Sequence, residues 1–130
     1  MLKNHNKKKI SFAIVGCGRI SKNHIKAIHE NSELADLVAI CDNDKKALDK
    51  TKSYTNAKSF NELSTLLNSI SPDVVIVTTP SGLHCENVVE IANAGINVIT
   101  EKPMATNLID AEKMIDTCYR NNVKLFVVKQ

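Results

Sequence analysis

Four short stretches of this 130-residue chain combine residue types that could do chemistry together. The first is Gly16-Cys17-Gly18-Arg19-Ile20-Ser21, which follows an apolar run and opens a helical pattern. Gly16 permits a tight turn, and Gly18 carries no side chain to block a close-lying anion. The following helix N-terminus offers free N–H groups and partial positive charge to a pyrophosphate. Ser21 stands where a third glycine completes the fullest form of this turn, and serine is small enough to keep helix and strand close. The second is Asp42, about 20 residues on at the end of the next strand, where a carboxylate can accept from both hydroxyls of an adenosine ribose. A phosphate on the 2′ position would be repelled there, which favours NAD over NADP, although Lys45 and Lys46 soften the argument. Asp42 could instead cap the next helix, a task open also to Asn43 and Asp44.

The third stretch is Thr78-Thr79-Pro80-Ser81. Pro80 has no N–H and fixes φ, so the chain must leave its strand here. Thr79 and Ser81 could offer hydroxyls to a diphosphate or a nicotinamide ribose, or simply start a helix. His84 follows, as a ligand contact or as a hydrogen-bonded core histidine. The fourth is Glu101-Lys102-Pro103. An amine at Lys102 could stabilise charge on an alcohol oxygen as hydride leaves its carbon, and burial or a nearby cation would make it a usable base. Glu101 could orient Lys102 or bond the nicotinamide ribose. The Lys102–Pro103 bond could be cis. The plain alternative is a surface charge pair ahead of a helix.

These stretches need elements to hold them. Short apolar runs at Ile10 to Val15, Leu37 to Cys41, Val74 to Val77, Asn97 to Thr100 and Leu125 to Val128 read as strands, with a weaker one at Asn56 to Ser59. Helical patterns alternate with them. One runs from Arg19 to Asn31 with Ile20, Ala27 and Ile28 inward, and a polar one spans Lys45 to Lys52. A third carries Leu63, Leu66, Leu67 and Ile70 behind a Ser59/Glu62 capping box. A fourth carries Cys85, Val88, Val89 and Ala92, ending at Gly95. The last has Leu108, Ala111, Ile115, Cys118 and Tyr119 on one face. Strict alternation demands parallel strands and right-handed crossovers, hence an α/β doubly wound sheet with the Rossmann strand order 3-2-1-4-5-6. All four stretches then fall at strand carboxyl ends, where such sheets bind ligands.

The chain resembles the Gfo/Idh/MocA family, which includes glucose–fructose oxidoreductase and inositol 2-dehydrogenase. The resemblance rests on Phe12-Ala13-Ile14-Val15-Gly16-Cys17-Gly18-Arg19-Ile20, on Thr79-Pro80-Ser81-Gly82-Leu83-His84 and on Val98-Ile99-Thr100-Glu101-Lys102-Pro103-Met104-Ala105. It implies an NAD(P)-dependent oxidoreductase acting on a carbohydrate or polyol hydroxyl, with Lys102 approaching the reacting carbinol. Glu101 and His84 match positions lining the cofactor site, and Arg19 and Ile20 match residues beside the pyrophosphate. The ending Val127-Val128-Lys129-Gln130 resembles the approach to the substrate domain in members that oxidise UDP-N-acetylglucosamine-type sugars at C3. The family's α/β substrate domain and its oligomer interface find no room in 130 residues. The expectation is therefore a basic tail over residues 1–9 and a cofactor domain over 10–130, inactive alone. A non-catalytic dinucleotide-binding regulatory module is the alternative, against which Lys102 argues.

Composition narrows the classes further. Hydrophobic residues make up 43% and charged residues 24% of the chain, an ordinary balance for a globular domain. No apolar run approaches the ~20 residues of a membrane span. The net charge of +3 comes from Lys3, Lys7, Lys8 and Lys9, so nucleic-acid binding is not inferred. Cys17, Cys41, Cys85 and Cys118 show no Cys-x-x-Cys or paired Cys/His spacing, so no metal site is expected. Apolar neighbours make them reduced, buried hydrophobes, and a cytoplasmic location follows.

Overall fold

The computed structural model describes residues 7–130; of the basic tail, Lys3 lies outside the described residues. Six strands form one all-parallel sheet in the order β3-β2-β1-β4-β5-β6. They are β1 (Ile10–Val15), β2 (Ala35–Cys41), β3 (Lys58–Phe60), β4 (Val74–Val77), β5 (Asn97–Thr100) and β6 (Leu125–Val127). Helices alternate with them: α1 (Ser21–Glu30), α2 (Lys45–Lys52), α3 (Leu63–Ser69), α4 (His84–Asn93) and α5 (Leu108–Arg120). The order reverses between β1 and β4, which opens a crevice at their carboxyl ends.

Alternate strand residues feed two cores. Ile14, Ile40 and Ile76 pack with Ile25 and Ile28 of α1 and Leu48 of α2. Ala13, Val15, Val75, Val77 and Val98 pack on the other face with Leu66, Val88, Ile91 and Met114 from α3, α4 and α5. Near-continuous apolar strands are what a sheet covered on both faces requires. Each fully buried Ile, Leu or Val contributes about 1.5–3 kcal/mol over exposure. At the opposite rim, Asp73 accepts from the Ser11 N–H at 2.8 Å and hydroxyl at 3.1 Å, stitching β1 to the start of β4.

Three local expectations are corrected. The buried stripe of α1 is Ser21, Ile25 and Ile28, while Ile20 and Ala27 face solvent. Ile20 precedes the helix, and the i, i+4, i+7 stripe through Ser21, Ile25 and Ile28 meets the sheet, which leaves Ala27 on the outer side. Ser59 does not cap α3: it pairs with Ile40 inside β3, Glu62 holds the N-cap position, and no side chain caps the helix. On α5 the inward residues are Met114, Thr117 and Cys118, whereas Leu108 (73% exposed) and Tyr119 (83%) point outward with Ile115. Two apolar stripes compete on that helix, and packing against α4 and the sheet selects the one through Met114.

Candidate functional site

The glycine turn is clamped from both neighbouring strands. Gly16 has φ +99°, and a Cβ there would lie 2.5 Å from the Thr78 carbonyl carbon and 2.6 Å from the Thr79 nitrogen. Its N–H donates to the Cys41 carbonyl at 2.8 Å, and the Thr78 hydroxyl donates to its carbonyl at 2.5 Å. Glycine is therefore demanded by the end of β4 as well as by the turn. Gly18 is the opposite case, since an added Cβ meets nothing within 4 Å. The fully buried Ser21 hydroxyl donates to the Gly18 carbonyl at 2.6 Å, so it fixes the loop as well as sparing space. The N–H groups of Gly18, Arg19 and Ile20 enter none of the backbone hydrogen bonds among the described residues. They remain free for an anion at the α1 N-terminus. The Arg19 and Ile20 side chains are exposed on the turn.

Cys17 serves differently from a free donor. Its N–H is taken by Asp42 Oδ2 at 2.7 Å, and its thiol is buried. Burial, with the Asp42 charge adding to it, pushes that thiol up to about 11, which keeps it neutral. The other Asp42 oxygen accepts from the Asp44 N–H at 2.8 Å. Asp44 itself caps α2, accepting from Lys46 and Ala47 N–H at 2.9 and 3.3 Å. Asp42 is thereby released from capping and oriented, with a lone pair on each oxygen still to offer.

A cavity of about 730 Å³ lies over this rim, lined by Gly16, Gly18, Asp42, Glu62, Thr79 and Glu90 among others. Asp44 also lines it; Lys45 and Lys46 do not. Three carboxylates, Asp44, Glu62 and Glu90, thus face the space beside Asp42. Burial, with Glu86 nearby, pushes the Glu90 carboxyl above its ordinary value.

Past β4, the Thr79 hydroxyl donates to Asn87 Oδ1 at 2.7 Å, while Pro80 is exposed and Ser81 opens a single 3-10 turn over Ser81–Leu83. His84 is a stitch and not a free ligand group. It is 1% exposed, with Nε2 2.8 Å from the Thr79 carbonyl oxygen and Nδ1 2.9 Å from that of Pro103. It joins the loop after β4 to the loop after β5.

Glu101 directly follows β5 and is 8% exposed. Its Oε1 lies 2.7 Å from His24 Nε2 on α1, and its Oε2 accepts from the Lys102 N–H at 3.1 Å. The Lys102–Pro103 bond is cis. Lys102 is exposed and pairs with no carboxylate among the described residues, so the enclosed surroundings anticipated for it are not built by this part of the chain. It borders a second hollow of about 500 Å³ with Pro103, Met104, Val127 and Val128.

The glycine turn, Asp42 and Thr79 therefore share one cavity, with Glu101 and Lys102 at the adjoining strand end outside it. Sequence reasoning gave Thr78 no role of its own, took Glu62 only for a capping-box partner, and passed over His24, Asn87 and Glu90. His24 had a usable signal: three residues beyond Ser21, it lies on the first turn of α1, facing the same way. Among the described residues no three His, Cys, Asp or Glu side chains are grouped to hold a metal ion. Nor is any helix long and apolar enough to cross a membrane.

Comparison with known proteins adds a family and several relatives. The family GFO_IDH_MocA, described as "Oxidoreductase family, NAD-binding Rossmann fold", matches residues 10–129. D-apiose dehydrogenase of Paraburkholderia graminis is 31% identical over 121 residues, covering 92% of this chain and 32% of that protein. Inositol 2-dehydrogenase of Salmonella typhimurium is 30% identical over 116 residues, covering 86% and 34%. The crystal structure of the WlbA dehydrogenase from Bordetella pertussis, in complex with NADH and UDP-GlcNAcA, superposes with a TM-score of 0.93 at 47% identity. It covers 95% of this chain and 38% of that one. The chain thus spans about a third of the length of the relatives it matches.

Proposed function

The chain belongs to the GFO_IDH_MocA oxidoreductase family, with its NAD-binding Rossmann fold, and from that premise we propose that it is the cofactor-holding part of an NAD-dependent sugar dehydrogenase. The observation that carries this is the arrangement of one rim. Free amides at residues 18–20, an oriented Asp42 carboxylate and the Glu101-Lys102 pair lie at the ends of neighbouring parallel strands.

The residues present fit a dinucleotide. The open face of Gly18 leaves room for a pyrophosphate, and the free N–H groups with the α1 dipole would hold it, the dipole adding about 0.3–1 kcal/mol. The two spare lone pairs of Asp42 would take the adenosine ribose hydroxyls. Asp44, Glu62 and Glu90 around the same cavity would repel a 2′-phosphate, which selects NAD. Thr79, Pro80 and Ser81 would border the diphosphate and the nicotinamide ribose, and His84 would hold their loop in place.

Bound NAD would supply the hydride acceptor. Lys102 would take the hydroxyl proton of the carbinol as hydride leaves, and Glu101 would bond the nicotinamide ribose. A substrate domain outside residues 10–130 would enclose Lys102, supply sugar contacts and carry the interface of a homo-oligomer, in the cytoplasm. The finer substrate reading is a UDP-N-acetyl sugar oxidised at C3. It is supported by the 47% identity to a protein crystallised with NADH and UDP-GlcNAcA.

The test has two arms. Saturation-transfer NMR on this chain with NAD, NADH and NADP should show the first two binding in preference to the third. In the full polypeptide carrying this chain, Lys102→Ala should abolish NAD reduction by the sugar while leaving NADH affinity within about threefold. Unchanged turnover would remove Lys102 from the chemistry.

A further inference from the structure

One close polar pair bridges the glycine-turn helix and the end of β5. His24 lies on the first turn of α1, the helix whose N-terminus carries the free amides of the glycine turn. Its Nε2 is 2.7 Å from Glu101 Oε1, with the two side chains 18% and 10% exposed. Among the described residues it is the sole ion-pair partner of Glu101, whose other recorded bond is the Lys102 N–H on Oε2. A carboxylate accepts, so the proton of this contact sits on His24 Nε2. Largely shielded from water, such a charge-assisted contact is short and directional.

The consequence is geometric. The pair ties the element that would hold pyrophosphate to the strand end that would meet the nicotinamide half, across β1 and β4. With one protein partner on each oxygen, Glu101 is held in a single orientation and keeps one lone pair per oxygen. Without His24, the carboxylate would be held only by the N–H of its own neighbour, and its side-chain torsions would be free to carry it away.

We propose that His24 is a positioning residue for the nicotinamide half of the site, acting through Glu101 and leaving the adenosine half untouched. This rests on the dinucleotide reading above and adds a residue that composition and spacing did not reveal. Asp42 and the cavity beside it are anchored by Cys17, Asp44 and the end of β4, none of which shares a hydrogen bond with the His24 side chain among the described residues. The two halves should therefore respond separately.

The experiment compares NADH with ADP, which lacks the nicotinamide half, on wild-type protein, His24→Leu and His24→Gln. Glutamine places an uncharged N–H donor close to where Nε2 stands. His24→Leu should weaken NADH about tenfold or more while leaving ADP within about twofold, and His24→Gln should restore NADH to within about threefold of wild type. A merely structural role would lower both ligands together and leave their affinity ratio unmoved. Parallel loss of NADH and ADP in His24→Leu, or no loss of either, would overturn the proposal. So would a failure of His24→Gln to restore NADH in a variant that still binds ADP. Wild-type protein that bound neither ligand would strike the dinucleotide reading itself, an outcome distinct from any of these.

Discussion

Replacing Gly16 and Gly18 separately by alanine should have opposite consequences, although the two glycines stand two residues apart in one turn. At Gly16 the new methyl would stand 2.5 Å from the Thr78 carbonyl carbon and 2.6 Å from two further backbone atoms, with φ at +99°. Neither neighbour is the flexible end of a side chain. Thr78 is held by its N–H on the Val15 carbonyl at 2.8 Å and by its hydroxyl on the Gly16 carbonyl. Backbone strain of about 1–3 kcal/mol adds to an overpacking cost of about 1–3 kcal/mol. A loss of roughly 2–6 kcal/mol is a large share of a domain's stability, and at this length it should lower Tm by about 10 °C or more. At Gly18 the methyl meets nothing, so stability should hold or rise slightly through a less flexible unfolded chain. The same methyl would occupy the face left open for pyrophosphate, and NADH affinity should fall about tenfold. Thermal melts by far-ultraviolet circular dichroism suit a chain without tryptophan, with NADH titration as the second readout. A Gly16→Ala protein melting within about 2 °C of wild type, or a Gly18→Ala protein with unchanged NADH affinity, would refute the crowding argument.

Asp42→Ala should strand the Cys17 and Asp44 N–H groups and remove the ribose acceptor, weakening NADH about tenfold or more and narrowing its preference over NADPH, as measured by competition titration. At the far rim, the Ser11 N–H and hydroxyl hold the Asp73 carboxyl below its ordinary value. A depressed carboxyl contributes stability above its unfolded value, here 3.8, and loses it as pH falls through the folded one. Asp73→Asn should accordingly cost less than about 1 kcal/mol at neutral pH, since the group is exposed and screened, and the gap should close in acid-side melts. The four buried thiols, all pushed above their ordinary range by burial, should resist alkylation at pH 8 in the native state and react fully in denaturant.

The sheet was legible because its signals are local and redundant. Val74 to Val77 and Asn97 to Thr100 are bounded by turn residues on both sides, and the strand order follows from alternation and crossover handedness. The glycine turn and Asp42 were legible because their spacing is set by one strand–helix–strand unit. Helix faces were less so. The run on α5 carries two apolar stripes, and only packing against α4 decides that Met114 turns inward and Tyr119 outward. Ser59 had the spacing of a cap but lay inside a strand, since pairing with Ile40 depends on residues far away in sequence. The contacts that complete the site were the hardest to foresee. His24 and Glu101 are 77 positions apart, and His84 meets Pro103 across 19, so neither pairing leaves a periodic trace.

One extended ligand should meet the glycine turn, the Asp42 tip and the Glu101-Lys102 tip together. Titrating NAD into isotope-labelled protein and following backbone amide shifts by NMR addresses this directly. The amides of Gly18, Arg19, Ile20, Asp42, Thr79, Glu101 and Lys102 should move together along a single binding curve. Shifts confined to one of these strand ends, or clustered instead around Ser11 and Asp73 at the opposite rim, would contradict it.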